Sequence, residues 1–212
     1  FAVNNTLPNI VTDGLLLYLD AGFTPSYPGD GTTWYDLSGQ GAHGTLINSP
    51  TWNSQGYFTF DGIDDGIDGI DLPQNYVDLM VGMYAETGGV DGLQMVFAKY
   101  NDYDKSFRIL NGFLRHTSAT DFNDWNNADK SEDFVNGQFI TSDINLLNNW
   151  NIIRMSRENN NTFLPPFVYS LSSDFYNRRY KGKIAFVMVY NRVLTSNEVL
   201  QNYNAQKSRF GL

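Results

Sequence analysis

The chain has 212 residues, of which 14 are basic and 23 are acidic, and its formal net charge is -9. This balance disfavours nucleic acid as a partner, because affinity for a phosphate backbone comes largely from Lys and Arg side chains. The sequence holds no cysteine, which excludes a disulfide framework and a thiolate metal site.

The apolar runs of the sequence are short. None approaches the roughly 20 residues that a helix needs to cross a bilayer, and no basic flank precedes an apolar segment at the start of the chain. We therefore expect no membrane partner and no secretion signal. The first residue is Phe1 rather than Met, as expected of a processed product or of a piece of a longer protein.

Short apolar runs bounded by turn residues predict an all-β protein. No stretch between them has the length and period of a crossover helix, so a parallel α/β sheet is disfavoured. We expect two packed antiparallel sheets in a single domain over residues 1–212, with residues 1–13 as a candidate extended N-terminal arm. The predicted strands are residues 15–19, 57–60, 76–84, 93–99, 106–110, 150–155, 167–171 and 184–190.

The end of the chain carries the strongest local signals. Residues 184–190 are apolar at nearly every position, which predicts a central strand covered on both faces. Thr195 and Glu198 stand at capping-box spacing, and Leu194 and Val199 occupy the two positions of a hydrophobic staple. The sequence therefore predicts one short C-terminal helix that begins near Ser196.

The least patterned region is residues 117–144, and loops of that length are usually functional or mobile. A second irregular stretch follows it, where Asn159, Asn160 and Asn161 predict a turn. Pro165 and Pro166 cannot donate hydrogen bonds to a ladder, so this stretch is expected at a sheet edge or outside the sheet.

Motifs at both ends of the chain resemble those of laminin-G-like, concanavalin-A-like jelly-roll domains, and they occur in the same order. The resemblance implies that the all-β fold is an antiparallel two-sheet jelly roll closed by the terminal strand and helix. The motifs are Leu17-Tyr18-Leu19-Asp20-Ala21-Gly22, Thr33-Trp34-Tyr35-Asp36-Leu37-Ser38-Gly39, His43-Gly44-Thr45-Leu46, Phe60-Asp61-Gly62-Ile63-Asp64-Asp65, and Gly182-Lys183-Ile184 through Thr195 followed by Glu198.

The subgroup that the chain resembles is common among structural proteins of tailed bacteriophages. That resemblance implies a virion component, either a capsid decoration or knob protein or a tail-associated protein, whose partners are other virion proteins and further copies of itself. The same fold serves secreted carbohydrate-binding modules, adhesins and glycosidases. A surface polysaccharide as partner and a secreted or cell-surface location are therefore the alternative.

Catalysis has little support in the sequence. Jelly-roll glycosidases need a pair of carboxylates, usually in a Glu-x-Asp-x-x-Glu strand motif, and none of the four Glu has that arrangement. His43 and His116 lack partners at a spacing typical of a zinc site. We expect a non-enzymatic protein and keep glycoside hydrolysis as a distant alternative.

The acidic segment that starts at Asp61 is the best candidate for a metal site. Ca²⁺ takes six to eight hard oxygen ligands, and carboxylates on a Gly-rich turn can converge on it. Related domains often carry a structural calcium, which the resemblance extends to this chain. The simpler reading is a solvated turn between strands. The candidate ligands are Asp61, Asp64 and Asp65, with Asp20 and Asp36 as weaker ones.

Exposed aromatic rings beside amide and carboxylate groups are typical of sugar sites, and two loop segments have that composition. Trp34, Trp52 and Trp150 are assigned to packing between the sheets, which leaves Trp125 as the tryptophan that stands out. The candidate carbohydrate-binding residues are Tyr100, Asp102, Tyr103, Asp124 and Trp125.

Overall fold

A computed structural model describes most of the chain. For residues 102–106, 115 and 116 it describes the backbone only. The described ranges are residues 8–74, 77–89, 91–99, 102–116, 133–142, 144–156, 168–172 and 178–212.

Fifteen strands and one α-helix make up the described part of the chain. A single 3-10 turn, Lys207–Arg209, continues the helix. The elements are β1 Leu15–Asp20, β2 Thr33–Trp34, β3 Gly44–Ile47, β4 Thr51–Asn53, β5 Tyr57–Asp61, β6 Gly66–Asp71, β7 Asp78–Ala85, β8 Leu93–Lys99, β9 Asp102–Leu110, β10 Phe113–His116, β11 Phe134–Val135, β12 Gln138–Phe139, β13 Trp150–Ser156, β14 Val168–Leu171, β15 Lys181–Tyr190 and α1 Ser196–Gln206.

The strands form two antiparallel sheets. The first sheet has eight strands in the order β12-β11-β13-β7-β15-β5-β4, with β1 also paired to β15. The second sheet has seven strands in the order β10-β9-β8-β14-β6-β3-β2. The predicted fold class, an all-β two-sheet sandwich with one short C-terminal helix, is confirmed.

The main hydrophobic core lies between the two sheets. Alternate positions of each strand point into it, as the two-residue period of a strand requires. Trp34 is fully buried there and packs on Phe58 with ring centroids 4.8 Å apart. The largest contributors include Leu17, Leu19, Trp34, Phe58, Phe60, Phe97, Phe107, Ile109, Ile153, Tyr169, Ile184 and Val187.

Strand β15 is central, as predicted. It pairs with β7 on one side and with β5 and then β1 on the other. Ile184 and Val187 face the core between the sheets, whereas Phe186, Met188 and Tyr190 belong to a second apolar cluster. Both faces of the strand are therefore covered, which explains its almost continuous apolar sequence.

The second cluster covers the outer face of the first sheet, and helix α1 lies over it. Val199 supplies the apolar contact, and two buried amides dock the helix. Asn202 Nδ2 donates to the Tyr190 hydroxyl at 2.9 Å, and Gln206 Nε2 donates to the Tyr18 hydroxyl at 3.0 Å. Hydrogen-bonded amides on an otherwise apolar face fix how the helix sits on the sheet.

Helix α1 begins at Ser196, in agreement with the sequence. The Thr195 hydroxyl accepts from the Glu198 backbone N–H, and the Glu198 carboxylate accepts from the Thr195 backbone N–H at 2.8 Å. This reciprocal pair is a capping box that satisfies donors left free by the first turn. Among the described residues, no helix has the length and hydropathy needed to cross a membrane.

The eight predicted strands correspond to β1, β5, β7, β8, β9, β13, β14 and β15. The missed strands, β2, β3, β4, β6 and β10 to β12, have two to six residues each. Residues 66–71, in the segment read as a calcium loop or solvated turn, form β6. Strands β11 and β12 lie within the predicted irregular region 117–144. Residues 117–132, and the turn and proline pair within 157–167, lie outside the described residues.

Candidate functional site

The three leading calcium candidates meet in one loop. Asp61, Asp64 and Asp65 lie where the chain leaves β5 in the first sheet and enters β6 in the second, and one ligand oxygen from each lies within 4.8 Å of the others. Asp61 Oδ1 accepts backbone N–H groups of Ile63 at 2.8 Å and Asp64 at 3.3 Å. Gly62, with φ of +77°, makes the tight turn.

The pKa values of two carboxyl groups in this loop shift in opposite directions. Burial raises the pKa of Asp65, and the charges of Asp61 and Asp64 add to that effect. Burial also opposes ionisation of Asp61, but backbone N–H donors from Ile63 to Asp65 hold its pKa below the usual range. Three carboxylates with hard oxygen atoms are the chemistry that Ca²⁺ prefers. Calcium binding here stays a prediction.

The side chain of Arg179 contacts the backbone of the β5–β6 loop. Arg179 Nη1 donates to the backbone carbonyl of Asp65 at 3.2 Å and to that of Ser172 at 2.9 Å. The Asp65 carbonyl oxygen therefore already accepts a hydrogen bond from within the protein. An ion at this loop would be held chiefly by carboxylate oxygen atoms.

The two weaker calcium candidates lie elsewhere and hold the fold. Asp20 is buried on β1, where its Oδ2 accepts from the Tyr18 hydroxyl and from Arg209 Nη1, each at 2.8 Å. Asp36 Oδ1 accepts the backbone N–H of Tyr18 and of Ser38, each at 2.9 Å. Neither carboxylate belongs to the group formed by the β5–β6 loop.

The predicted sugar residues fall mostly outside the described part of the chain. Tyr100, Asp124 and Trp125 are not described, and Asp102 and Tyr103 are described only as backbone of β9. Strand β9 lies next to β10, the edge strand of the second sheet. A sugar site at these residues stays a prediction. His43 accepts the backbone N–H of Asp36 through Nδ1 at 3.0 Å, and His116 ends β10, with only its backbone described.

Among the described residues, four carboxylates are paired with arginines near helix α1, an arrangement that sequence patterns did not reveal; one of them is Asp13, which binds Arg192 Nε at 2.7 Å. Asp78 and Arg154 form an ion pair with both side chains fully buried. Glu198 Oε1 binds Arg192 Nη2 at 2.6 Å, and Asp20 binds Arg209. The Asp78 pair joins β7 to β13, the Glu198 pair joins the segment after β15 to the helix, and the Asp20 pair joins β1 to the turn after the helix.

The buried pair lies beneath the start of the helix. Arg154 Nε donates to both carboxylate oxygens of Asp78, at 3.0 and 2.9 Å, and the Leu194 backbone N–H donates to Oδ2 at 2.9 Å. Burial raises the pKa of Asp78 to about 6, against the lowering effect of Arg154. The Asp78–Arg154 pair thus joins β7 and β13 to Leu194, in the segment before α1.

Trp150 was wrongly assigned to packing between the sheets. Trp34 does lie in that core, and Trp52 packs against it, with Nε1 donating to the Ala21 carbonyl at 2.9 Å. Trp150 lies instead on the outer face of the first sheet, half-buried beside the C-terminal segment. It belongs to a group that we call the aromatic platform, which consists of Tyr57, Tyr84, Trp150, Lys183 and Phe210.

Strand register builds this platform. Trp150 on β13 pairs with Tyr84 on β7, and Tyr84 pairs with Lys183 on β15, so the three side chains form one row across the sheet. The Trp150 ring centroid lies 5.9 Å from that of Tyr84, 5.5 Å from that of Tyr57 and 4.6 Å from that of Phe210. Lys183 Nζ lies 4.6 Å from the Tyr84 ring centroid and 5.3 Å from that of Tyr57.

No protein-family model and no curated protein matches the sequence. Solved structures do resemble the fold. A Trypanosoma rangeli sialidase in complex with sialic acid aligns over 98% of this chain and 37% of its own, with a TM-score of 0.55 and 15% identity. The receptor-binding domain of botulinum neurotoxin D aligns over 92% of this chain and 53% of its own, with a TM-score of 0.57 and 10% identity.

The chain thus spans about a third of the sialidase and about half of the toxin domain. At these identities the likeness shows a shared fold alone. The two-sheet sandwich is therefore common to this chain and its structural neighbours, in agreement with the concanavalin-A-like architecture implied by the motifs.

Proposed function

We propose that this chain is a non-enzymatic structural domain of a tailed-bacteriophage virion, either a capsid decoration or knob protein or a tail-associated protein. Its partners would be other virion proteins and further copies of itself. The proposal rests on the motif resemblance at both ends of the chain, together with the use that the fold makes of those motifs.

The observation that carries the proposal is how acidic side chains of the motifs are employed. Asp20 and Glu198 each bind an arginine, and Asp36 accepts backbone N–H groups that shape the loop after β2. Most glycoside hydrolases need two carboxylates directed at a substrate. Here Asp20 and Glu198 hold the helix and its flanks, and Asp36 holds the loop after β2. A rigid body of this kind suits assembly better than turnover.

Mass spectrometry of purified particles tests the virion role. Phage particles from cells that encode this chain would be banded on a density gradient, and the peptides of each fraction would be quantified. We expect the chain to band with the capsid and tail proteins at a constant ratio. Its confinement to fractions without particles would contradict the proposal.

A second candidate function is carbohydrate recognition, as a binding module or adhesin with a secreted or cell-surface location. Half-buried aromatic residues on the first sheet favour it, and so does the fold shared with a sialidase solved with sialic acid. The two roles are compatible, since a surface domain of a particle can adhere to polysaccharide. A glycan array separates the two roles. Saturable binding to a glycan supports carbohydrate recognition, and no binding to any glycan leaves virion assembly as the only proposed role.

A further inference from the structure

We propose that the aromatic platform binds an acidic saccharide, with Lys183 as the contact to the saccharide carboxylate. This inference rests on the recognition function proposed above and gives it a site and a ligand class. The site lies on the outer face of the first sheet, on different strands from the loop residues suggested by the sequence.

The platform lies at the end of the sheet that helix α1 leaves uncovered. Along β15, Tyr190 and Met188 are fully buried beneath the helix and its neighbours, and Phe186 lies under Phe210 at 6.2 Å between ring centroids. Ala185, in the β-bulge between Ile184 and Phe186, is also buried in the second apolar cluster, and the outward position after it is Lys183, which is half-buried. One row of outward side chains therefore stays accessible.

The rings of this row offer the apolar part of a sugar site. Tyr57, Tyr84 and Trp150 are all half-buried, so each residue keeps some surface accessible to solvent. Tyr and Trp combine an apolar ring with a polar edge, which matches the C–H face and the hydroxyl groups of a pyranose. Phe210, packed on Trp150, closes the platform on the helix side.

Lys183 gives the site its charge preference. Its ammonium lies over the rings of Tyr84 and Tyr57, and among the described residues no carboxylate forms an ion pair with it. Within the described part of the chain this cation contacts ring faces, so on a protein of net charge -9 it can still bind an anionic partner. A carboxylate on the saccharide would provide that partner.

Polar side chains border the platform on the β4 side. Thr59 pairs with Lys183 across β5 and β15, and Thr51 pairs with Thr59 across β4 and β5. Asn53 lies opposite Tyr57, whose hydroxyl donates to Gln55 Oε1 at 3.3 Å. These hydroxyl and amide groups continue the row toward the edge of the sheet. They are suited to hydrogen bonds with saccharide hydroxyl groups.

Calorimetric titration with two pairs of probes tests the site. The acidic probes are sialyllactose and trigalacturonate, and the neutral ones are lactose and maltotriose. We expect the wild-type chain to bind an acidic probe at least about tenfold more tightly than its neutral counterpart. Lys183→Met should abolish that preference, and Lys183→Arg should retain most of it. Tyr84→Leu should weaken binding of every probe that the wild type binds.

The matched control is Lys207→Met. Lys207 also lies over a tyrosine ring, that of Tyr203 at 5.2 Å, but outside the platform, so its removal should leave the affinities unchanged. Melting temperatures of all variants report whether each one is folded. If wild-type protein binds no probe with a Kd below about 10 mM, the recognition function fails together with the site. If the wild-type protein binds a probe and Lys183→Met still prefers the acidic probes, the recognition function is supported but the aromatic platform is not its site.

Discussion

Asp78 on β7 and Arg154 on β13 form a two-pronged ion pair in which neither side chain has any solvent exposure. The same arginine donates through Nη2 to the Leu194 carbonyl at 3.2 Å, and the Leu194 backbone N–H binds Asp78. The pair thus holds the segment that leads into α1. A buried pair of this kind stabilises little by itself, but loss of one partner leaves a buried charge without compensation.

Removal of one member of this pair should destabilise the protein strongly. We expect Asp78→Asn to lower the free energy of unfolding by about 3 to 5 kcal/mol, because the buried Arg154 guanidinium would lose its two-pronged contact with the Asp78 carboxylate. Urea titration followed by fluorescence measures the change. The double variant Asp78→Leu with Arg154→Met should lose less than the single variant. A single-variant loss no greater than that of the exposed control Asp30→Asn would contradict the account.

Acid should weaken the start of the helix through Glu198. The Arg192 hydrogen bond, with help from the Thr195 N–H, lowers the pKa of Glu198 from 4.5 to about 2. A carboxylate with a depressed folded-state pKa contributes stability above its unfolded-state pKa and loses it as the pH falls toward the folded-state value. The contribution of Glu198 should therefore fade between pH 4.5 and 2.

The variant Glu198→Gln isolates this effect. Thermal melts across the acid range should show that the variant is less stable than the wild type near neutral pH and that the gap narrows with acid. A gap that stays constant from neutral pH to pH 2 would show that Glu198 does not titrate in this way.

The helix cap itself can be tested by Thr195→Ala. Loss of the hydroxyl that accepts from Glu198 N–H should lower the free energy of unfolding by about 0.5 to 2 kcal/mol. Ser196→Ala is the neighbouring control, since Ser196 is exposed and already inside the helix. Equal stabilities for the two variants would place the helix start elsewhere.

Calcium should stabilise the protein if the β5–β6 loop binds it. We expect Ca²⁺ to raise the melting temperature relative to EDTA, because a ligand that binds only the folded state adds to its stability. Asp64→Asn should remove the increase, since Asp64 is exposed and contributes one of the three carboxylates. Asp36→Asn should retain the increase. Identical wild-type melts in Ca²⁺ and EDTA would rule the calcium hypothesis out.

Predictions from the sequence were most accurate where they depended on residues close together in the chain. The capping box of Thr195 and Glu198, and the apolar run of β15, each depend on a few neighbouring residues, and both were placed correctly. Strand β6 was missed, because its Asp and Gly residues are typical of turns and its pairing with β3 and β14 comes from distant segments.

The location of Trp150 needed information that no local pattern contains. Helix α1 covers much of the outer face of the first sheet, so Ile152 and Ile153 on β13 are both buried although they face opposite sides. An apolar strand covered on both faces gives no alternation from which to assign Trp150 to one side. The platform and the Asp78–Arg154 pair likewise depend on the register between β13 and β7, which sequence alone leaves open.

A low-resolution map of the intact particle tests the central claim most directly. We expect density for a two-layer sandwich of this size, repeated at symmetry-related positions on the head or tail and removed by deletion of the gene for this chain. A particle whose density is unchanged by that deletion would contradict a structural role in the virion.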